Sequence, residues 1–343
     1  MFMANDNFDF SAYEKAVSDQ PLYPAEQCYL HIENVLSDDI IRLYGSIDRF
    51  LFQEIDYDRV ISNMPRWVAD AGISPELDCD KVWYESLRNN ASHPIFGRFI
   101  YHYDLWGKIA AIQDRLQAVI MFMRQFYSIV PCRAQYDDNQ YTSAERCSGG
   151  QETEAHMLLN SIFVAYASVF DLISKIAVEQ FEFNKYDFCK YKKMISANIT
   201  YKKSLRHIDS SLKESGMLFS EPPVIRKIVT FRDEFVHNGP WDLRCSVYNT
   251  AVNGEPADVV IYSPDMDELG NFITSGSRNK FYSQANRINI QLPELINEAT
   301  TVLKNTINQI STLYQKGITQ GISIEYTKEC MEAIRQYYTS LSK

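Results

Sequence analysis

The chain of 343 residues is 45% hydrophobic and carries a formal net charge of −10 at pH 7. This size and apolar content allow a sizeable core and predict two domains, or one domain with large insertions. The acidic balance argues against a protein whose whole surface binds nucleic acid, although it allows a local basic patch. Seven scattered cysteines without a C-x-x-C pair predict neither a disulfide framework nor a zinc site. The sequence has no signal-peptide pattern and no run of ~18 apolar residues, so we expect a cytoplasmic protein that does not enter a membrane.

The first 95 residues are predicted to form an acidic, mostly helical N-terminal region. The first hundred residues hold 17 Asp or Glu and 8 Lys or Arg, a balance that favours a regulatory protein partner over a nucleic-acid ligand. Within this region, Ile40, Leu43, Tyr44 and Ile47 recur at spacings of three and four and predict a helix over 37–55.

Two long amphipathic helices are predicted in the middle of the chain. The first covers about 98–130 and ends at Pro131, because proline cannot continue a helix. The second covers 152–181 and has apolar side chains at helical spacing along its whole length. The connection over 135–150 is polar and ends in two glycines, which predicts an exposed loop or a hinge.

Basic residues dominate 185–207, which holds seven Lys or Arg against one acid, with aromatic residues between them. This composition is typical of a surface that binds single-stranded nucleic acid, and it is as typical of a solvated helix face. The lysines that would contact nucleic acid are Lys192, Lys193, Lys202 and Lys203.

The predicted fold is mainly α with one small β element. A helix is predicted over 224–237, and two more follow at 293–315 and 324–341. Between them, the apolar period changes to two around Asn253-Gly254, which predicts a β-hairpin over 245–262.

The 224–237 helix ends in the stretch FRDEFVHNGPW, which contains the main chemical motif of the sequence. Arg232 lies five positions before His237, Asp233 follows the arginine, and Asn238 follows the histidine. This Arg-x4-His motif on a core helix resembles the signature of the HEPN superfamily of metal-independent ribonucleases.

The resemblance covers roughly 98–320. It implies a HEPN-like helical bundle over 96–320 with a β-hairpin insertion, preceded by a helical N-terminal extension over 1–95 and followed by a C-terminal helix over 321–343. It also implies a homodimer, because ribonucleases of this family form their active site between two protomers.

The residue types suit RNA cleavage without a metal. Histidine titrates near neutral pH and can move the proton of the attacking 2′-hydroxyl or of the leaving oxygen. The arginine fork matches phosphate oxygens and can stabilise the charged phosphorane. Five positions on an ideal helix turn through roughly 140° and rise about 7.5 Å, so Arg232 and His237 diverge on one regular helix. Either the helix unwinds at Asn238, or two protomers complete the site across a two-fold axis.

A second Arg-x4-His match, Arg88 and His93, is an alternative site. Its intervening residues are polar and Pro94 follows at once, so the pattern does not indicate a core helix. The structural alternative for the later motif is that Arg232 pairs with a nearby acid and that His237 stabilises the C-terminal end of its helix.

The remaining polar residues have weaker patterns. Asp171, in the 152–181 helix, could orient Arg232 or face solvent. The other histidines have no metal-ligand spacing, so we expect neither a metal nor another cofactor.

These observations lead to two hypotheses. In the first, the protein is an endoribonuclease that cleaves single-stranded RNA and acts as a toxin or in antiviral defence. In the second, it is a non-catalytic HEPN-like scaffold for dimerisation, sensing or nucleotide binding.

Overall fold

A computed structural model describes residues 24–132, 135–136 and 138–341. The fold is mainly helical and includes one small antiparallel sheet, which confirms the predicted mainly α class. The first helix of the described residues, α1 (Pro24–Asn34), continues through a π-helical turn into α2 (Ile40–Leu51). The predicted start near residue 37 was wrong, because the acidic residues there lie inside this continuous helix. Asp39 does not cap a helix and forms an ion pair with Arg42, 3.6 Å away.

The five predicted helices from about residue 98 onward agree with the structure to within a few residues at most ends, and four short helices were not predicted individually. In the described part of the N-terminal region, three short helices follow: α3 (Tyr57–Ile61), α4 (Trp67–Asp70) and α5 (Lys81–Asn89). The remaining helices are α6 (Pro94–Ile129), α7 (Gly150–Glu182), the four-residue α8 (Tyr201–Ser204), α9 (Pro223–His237), α10 (Ile288–Lys316) and α11 (Ile324–Leu341).

Helix α10 begins at Ile288, five residues before its predicted start at 293. A helix that began at 293 would have its proline in the first turn, where the missing N–H does no harm. Pro293 instead lies inside the helix and leaves the carbonyl of Asn289 without its usual helical donor. The hydroxyl of Tyr127 donates to that carbonyl at 2.9 Å, which explains how a proline is tolerated there.

The sheet has three strands, one more than the predicted hairpin. β1 (Ser143–Cys147) lies in the connection predicted to be a loop, and the hairpin consists of β2 (Val247–Val252) and β3 (Glu255–Val260). β2 is the central strand, and β1 pairs with it antiparallel. The hairpin itself is confirmed: Asn253 and Gly254 both have positive φ, 54° and 87°, as a tight turn of this kind requires.

Helix α7 lies at the centre of the core. It packs most extensively against α6 and also contacts α8, α9 and α10. Helices α1 and α2 pack on α10, so the described part of the N-terminal region shares one continuous core with the bundle. The stretch Gly150–Lys185 is the one helix in the described part of the chain that is long and apolar enough to cross a bilayer, and 67% of its most apolar window is buried inside the protein.

Candidate functional site

Helix α9 holds the motif at its C-terminal end. Aromatic packing fixes its inner face. The ring of Phe231 stacks on the ring of Phe163 in α7, with ring centroids 4.8 Å apart. The ring centroids of Phe235 and Trp241 are also 4.8 Å apart. The helix ends at His237, and Gly239 with φ 89° turns the chain away. His237 is exposed and lies in the last turn of a helix whose inner face is packed on the core.

The Arg232 side chain is about one-third exposed and forms an ion pair with its neighbour. Its Nη1 donates to Oδ1 of Asp233 at 2.6 Å. Arg232 lines a pocket of about 180 Å³ together with Asp171, Tyr201 and Lys202. In that pocket Asp171 accepts the backbone N–H of Tyr201 at 2.7 Å, so this carboxylate holds the start of α8 in place.

His237 opens into a larger, neighbouring cleft of about 500 Å³. Tyr201, Lys202 and Asp233 line both this cleft and the Arg232 pocket. The two motif side chains thus open into adjacent cavities that share a wall, in keeping with the divergence that helix geometry predicts.

The carboxylates that line the cleft are neutralised by neighbouring cations. Asp233 is paired with Arg232, and Glu234 is paired with Lys280 from the segment after β3. Glu221 accepts from Arg226 at 3.2 Å. The amide of Asn238 donates to Glu234 at 2.8 Å, so this motif residue supports the same network.

Lys202 is the lysine that the fold brings to the cleft. It is exposed and has no acidic partner within the described ranges of the chain. Of the four lysines named from the sequence, it alone lines the two cavities described above, whereas Lys192, Lys193 and Lys203 are exposed elsewhere on the same segment. The cleft beside the motif helix therefore has carboxylates paired with cations and one exposed lysine in its wall.

The basic segment 185–207 is neither a long helix nor a row of exposed rings. It consists of short turns, and its Tyr191 and Tyr201 rings are buried. The Tyr191 hydroxyl donates to Asp104 at 2.5 Å, and the Tyr201 hydroxyl donates to the carbonyl of Leu218 at 2.8 Å. These tyrosines tie the segment to the core, so they do not offer faces on which bases could stack.

The alternative pair, Arg88 and His93, lies on two different elements. Arg88 is in the last turn of α5, and His93 is the N-cap of α6. Nδ1 of His93 accepts the backbone N–H of Ile95 at 3.2 Å, and its Nε2 lies 3.5 Å from Glu329. The polar sequence between the two residues is a helix end and a turn, and His93 has a clear structural role there.

The histidines outside the two motifs lie in separate hydrogen-bonded environments. His102 bonds to Asp48 at 2.7 Å, and His207 bonds to Glu182 at 3.0 Å. Burial lowers the pKa of His156, which lies within hydrogen-bonding distance of the Ser246 backbone. Over the described residues, no three His, Cys, Asp or Glu side chains are grouped so that they could hold a metal ion.

Among the residues that the sequence did not single out are Arg226, which lines the cleft, and Lys280, which neutralises Glu234 in its wall. Arg226 lies on the same helix face as His237, so helical spacing could have revealed it. Lys280 is 46 residues from its partner Glu234, and no local pattern connects the two. No family model, curated protein or solved structure matches the chain.

Proposed function

We propose that the protein is a metal-independent endoribonuclease of HEPN type that cleaves single-stranded RNA, as a toxin or an antiviral-defence effector. The observation that carries the proposal is the exposed end of a core helix, where His237 faces a cleft with neutralised carboxylates and an unpaired Lys202. Such a cleft can accept the phosphate backbone despite the negative charge of the whole chain.

The reaction begins with the 2′-hydroxyl of the nucleotide before the scissile bond. A base removes its proton, the 2′-oxygen attacks phosphorus, and the bond from phosphorus to the 5′-oxygen breaks. A proton then passes to the 5′-oxygen, which leaves a 2′,3′-cyclic phosphate and a 5′-hydroxyl. His237 is assigned to proton transfer, and Arg232 to stabilisation of the phosphorane.

A second protomer would complete the site. Within one chain, Arg232 and His237 open into adjacent cavities, and Arg232 is held by Asp233. Pairing the α9 ends of two protomers would bring a second arginine and histidine to the same phosphate, as in the family that the motif resembles. Val236 beside His237 is 52% exposed and Leu243 is 94% exposed, which supplies apolar surface for such an interface.

The ion pair between Arg232 and Asp233 also favours a second candidate. An arginine that stays paired cannot contact a phosphate, and the protein would then be a non-catalytic HEPN-like scaffold for dimerisation, sensing or nucleotide binding. Loss of cleavage without loss of folding in motif variants distinguishes the enzyme from this scaffold.

The decisive experiment incubates end-labelled single-stranded RNA with purified protein in EDTA. We expect cleavage with a 2′,3′-cyclic phosphate end, no cleavage of the DNA of the same sequence, and a dimer by sedimentation. His237→Ala should lower the cleavage rate by ~10²-fold or more. Arg232→Lys should also cleave slowly, because the point charge of an ammonium group does not replace the forked guanidinium.

Arg88→Ala is the matched control, because it changes the alternative motif without removing a helix cap. It should cleave RNA at the wild-type rate. Circular dichroism on every variant separates loss of activity from loss of folding. Full activity in His237→Ala, or equal cleavage of DNA, would contradict the proposal.

A further inference from the structure

The cleft follows one face of helix α9 along most of its length. Arg226, Thr230, Asp233 and His237 occur at spacings of four, three and four, and all of them line the cleft. Arg226 and His237 are eleven positions apart (226 to 237), which corresponds to about 16 Å along a helix that rises 1.5 Å per residue. Arg226 therefore lies near one end of the cleft and His237 at the other, and the carboxylates between them are paired with cations.

Glu221 orients the Arg226 side chain but engages only part of its hydrogen-bond donors. Its Nη2 donates one bond to Glu221 at 3.2 Å, and both side chains are 36% exposed. A guanidinium has five N–H donors, so several remain for phosphate oxygens. The pair is therefore an oriented anion-binding group at the far end of the cleft.

The backbone of Glu221 supplies an independent observation. Its φ of 52° is in the left-handed region, which glycine occupies without strain and glutamate does not. Strained residues of this kind are concentrated at functional sites. Here the strained residue lines the cleft and its carboxylate contacts Arg226, so the strain coincides with the positioning of that arginine.

We infer that Arg226 binds a second phosphate of a strand lying along α9, away from the phosphate at His237. This inference rests on the proposed function and specifies its substrate class. A stacked strand advances about 3.4 Å per nucleotide, so 16 Å corresponds to at most about five nucleotides, and to fewer in an extended strand. The ligand is then a single-stranded oligonucleotide of about three to five nucleotides or longer, not a mononucleotide or a dinucleotide.

The test measures binding separately from cleavage. Fluorescence anisotropy is recorded with labelled, non-cleavable 2′-deoxy oligonucleotides of two, three, four, six and eight residues. For the wild type, affinity should rise up to about five residues and then level off, because only phosphates within reach of Arg226 add to binding.

Arg226→Ala should lose about tenfold in affinity for the six-residue strand. The slope of log affinity against log salt concentration should become smaller by about one. The weak binding of the two-residue strand should stay unchanged. Arg226→Lys should recover part of the loss. Arg335→Ala is the matched control, because Arg335 also pairs with an acid near it in sequence, at 2.6 Å, but lies on α11. It should bind like the wild type at every length.

An affinity independent of length, or an Arg226→Ala variant that binds the long strands like the wild type, would overturn the inference. Absence of detectable binding at every length would overturn it as well. If the strands bind as expected but RNA is not cleaved in EDTA, the inference stands and the proposed nuclease activity alone is refuted.

Discussion

Gly97 is a position at which a single added methyl group should destabilise the fold. It lies in α6, where the helix passes the turn that starts at Phe188 in the basic segment. A Cβ at residue 97 would lie 2.0 Å from the carbonyl oxygen of Phe188 and 2.9 Å from its carbonyl carbon. Both atoms belong to the backbone, so rotation of a side chain cannot relieve the overlap.

The expected magnitude follows from two opposing contributions. Replacing glycine by alanine inside a helix usually stabilises by roughly 0.5–1 kcal/mol. At Gly97 the turn would have to move by more than 1 Å to restore a normal contact, and such overpacking costs about 1–3 kcal/mol. Gly97→Ala should therefore lower the free energy of unfolding by up to about 2 kcal/mol.

Gly107 in the same helix is the matched control. It is exposed, and a Cβ there would meet nothing within 4 Å. Gly107→Ala should stabilise by roughly 0.5–1 kcal/mol, so the two variants should differ in sign in urea unfolding followed by circular dichroism. Equal stabilisation by both substitutions would refute the close approach of α6 to the Phe188 turn.

The remaining predictions concern the proline in α10, the buried histidine and the cleft lysine. Tyr127→Phe should lower the free energy of unfolding by about 1–3 kcal/mol in urea titrations, because the buried carbonyl beside Pro293 loses its donor; an unchanged midpoint would contradict this role. Burial lowers the pKa of His156 from 6.5, so the unfolded chain binds this proton at a higher pH than the folded chain does. The free energy of unfolding should therefore fall as the pH drops below about 6.5, by at most about 1.4 kcal/mol per pH unit. His156→Gln should remove that contribution, and a pH profile identical to the wild type would argue against it. In filter binding, Lys202→Met should weaken RNA binding and reduce the slope of log affinity against log salt concentration by about one, whereas Lys203→Met should do neither. Equal losses of RNA affinity in the two variants would exclude a specific role for the cleft.

The position of the motif connects the fold to the proposed chemistry. The aromatic contacts of Phe231 and Phe235 hold the inner face of α9 in the core, so the outer face is presented rigidly. Catalytic and binding groups on such an element keep their geometry better than groups on a loop. We therefore expect substitutions at Phe163, which stacks on Phe231, to reduce activity and stability together.

The sequence by itself determined the elements whose signals are local. The apolar spacing of α7 indicated a core helix because side chains three and four residues apart share one face. Asn253-Gly254 indicated the hairpin turn because both residues tolerate positive φ. The end of α9 was predictable in the same way, from the Asn-Gly-Pro stop after the motif.

Tertiary structure decided the features that depend on residues distant in sequence. β1 has almost entirely exposed side chains and no alternating pattern, so only pairing with β2 defines it as a strand. Pro293 can lie inside α10 because Tyr127, from another helix, supplies a donor. Lys202 reaches the cleft because buried tyrosines tie its segment to the core. In each case the deciding interaction joins groups that no sequence period relates, since packing and hydrogen bonding between elements place them together.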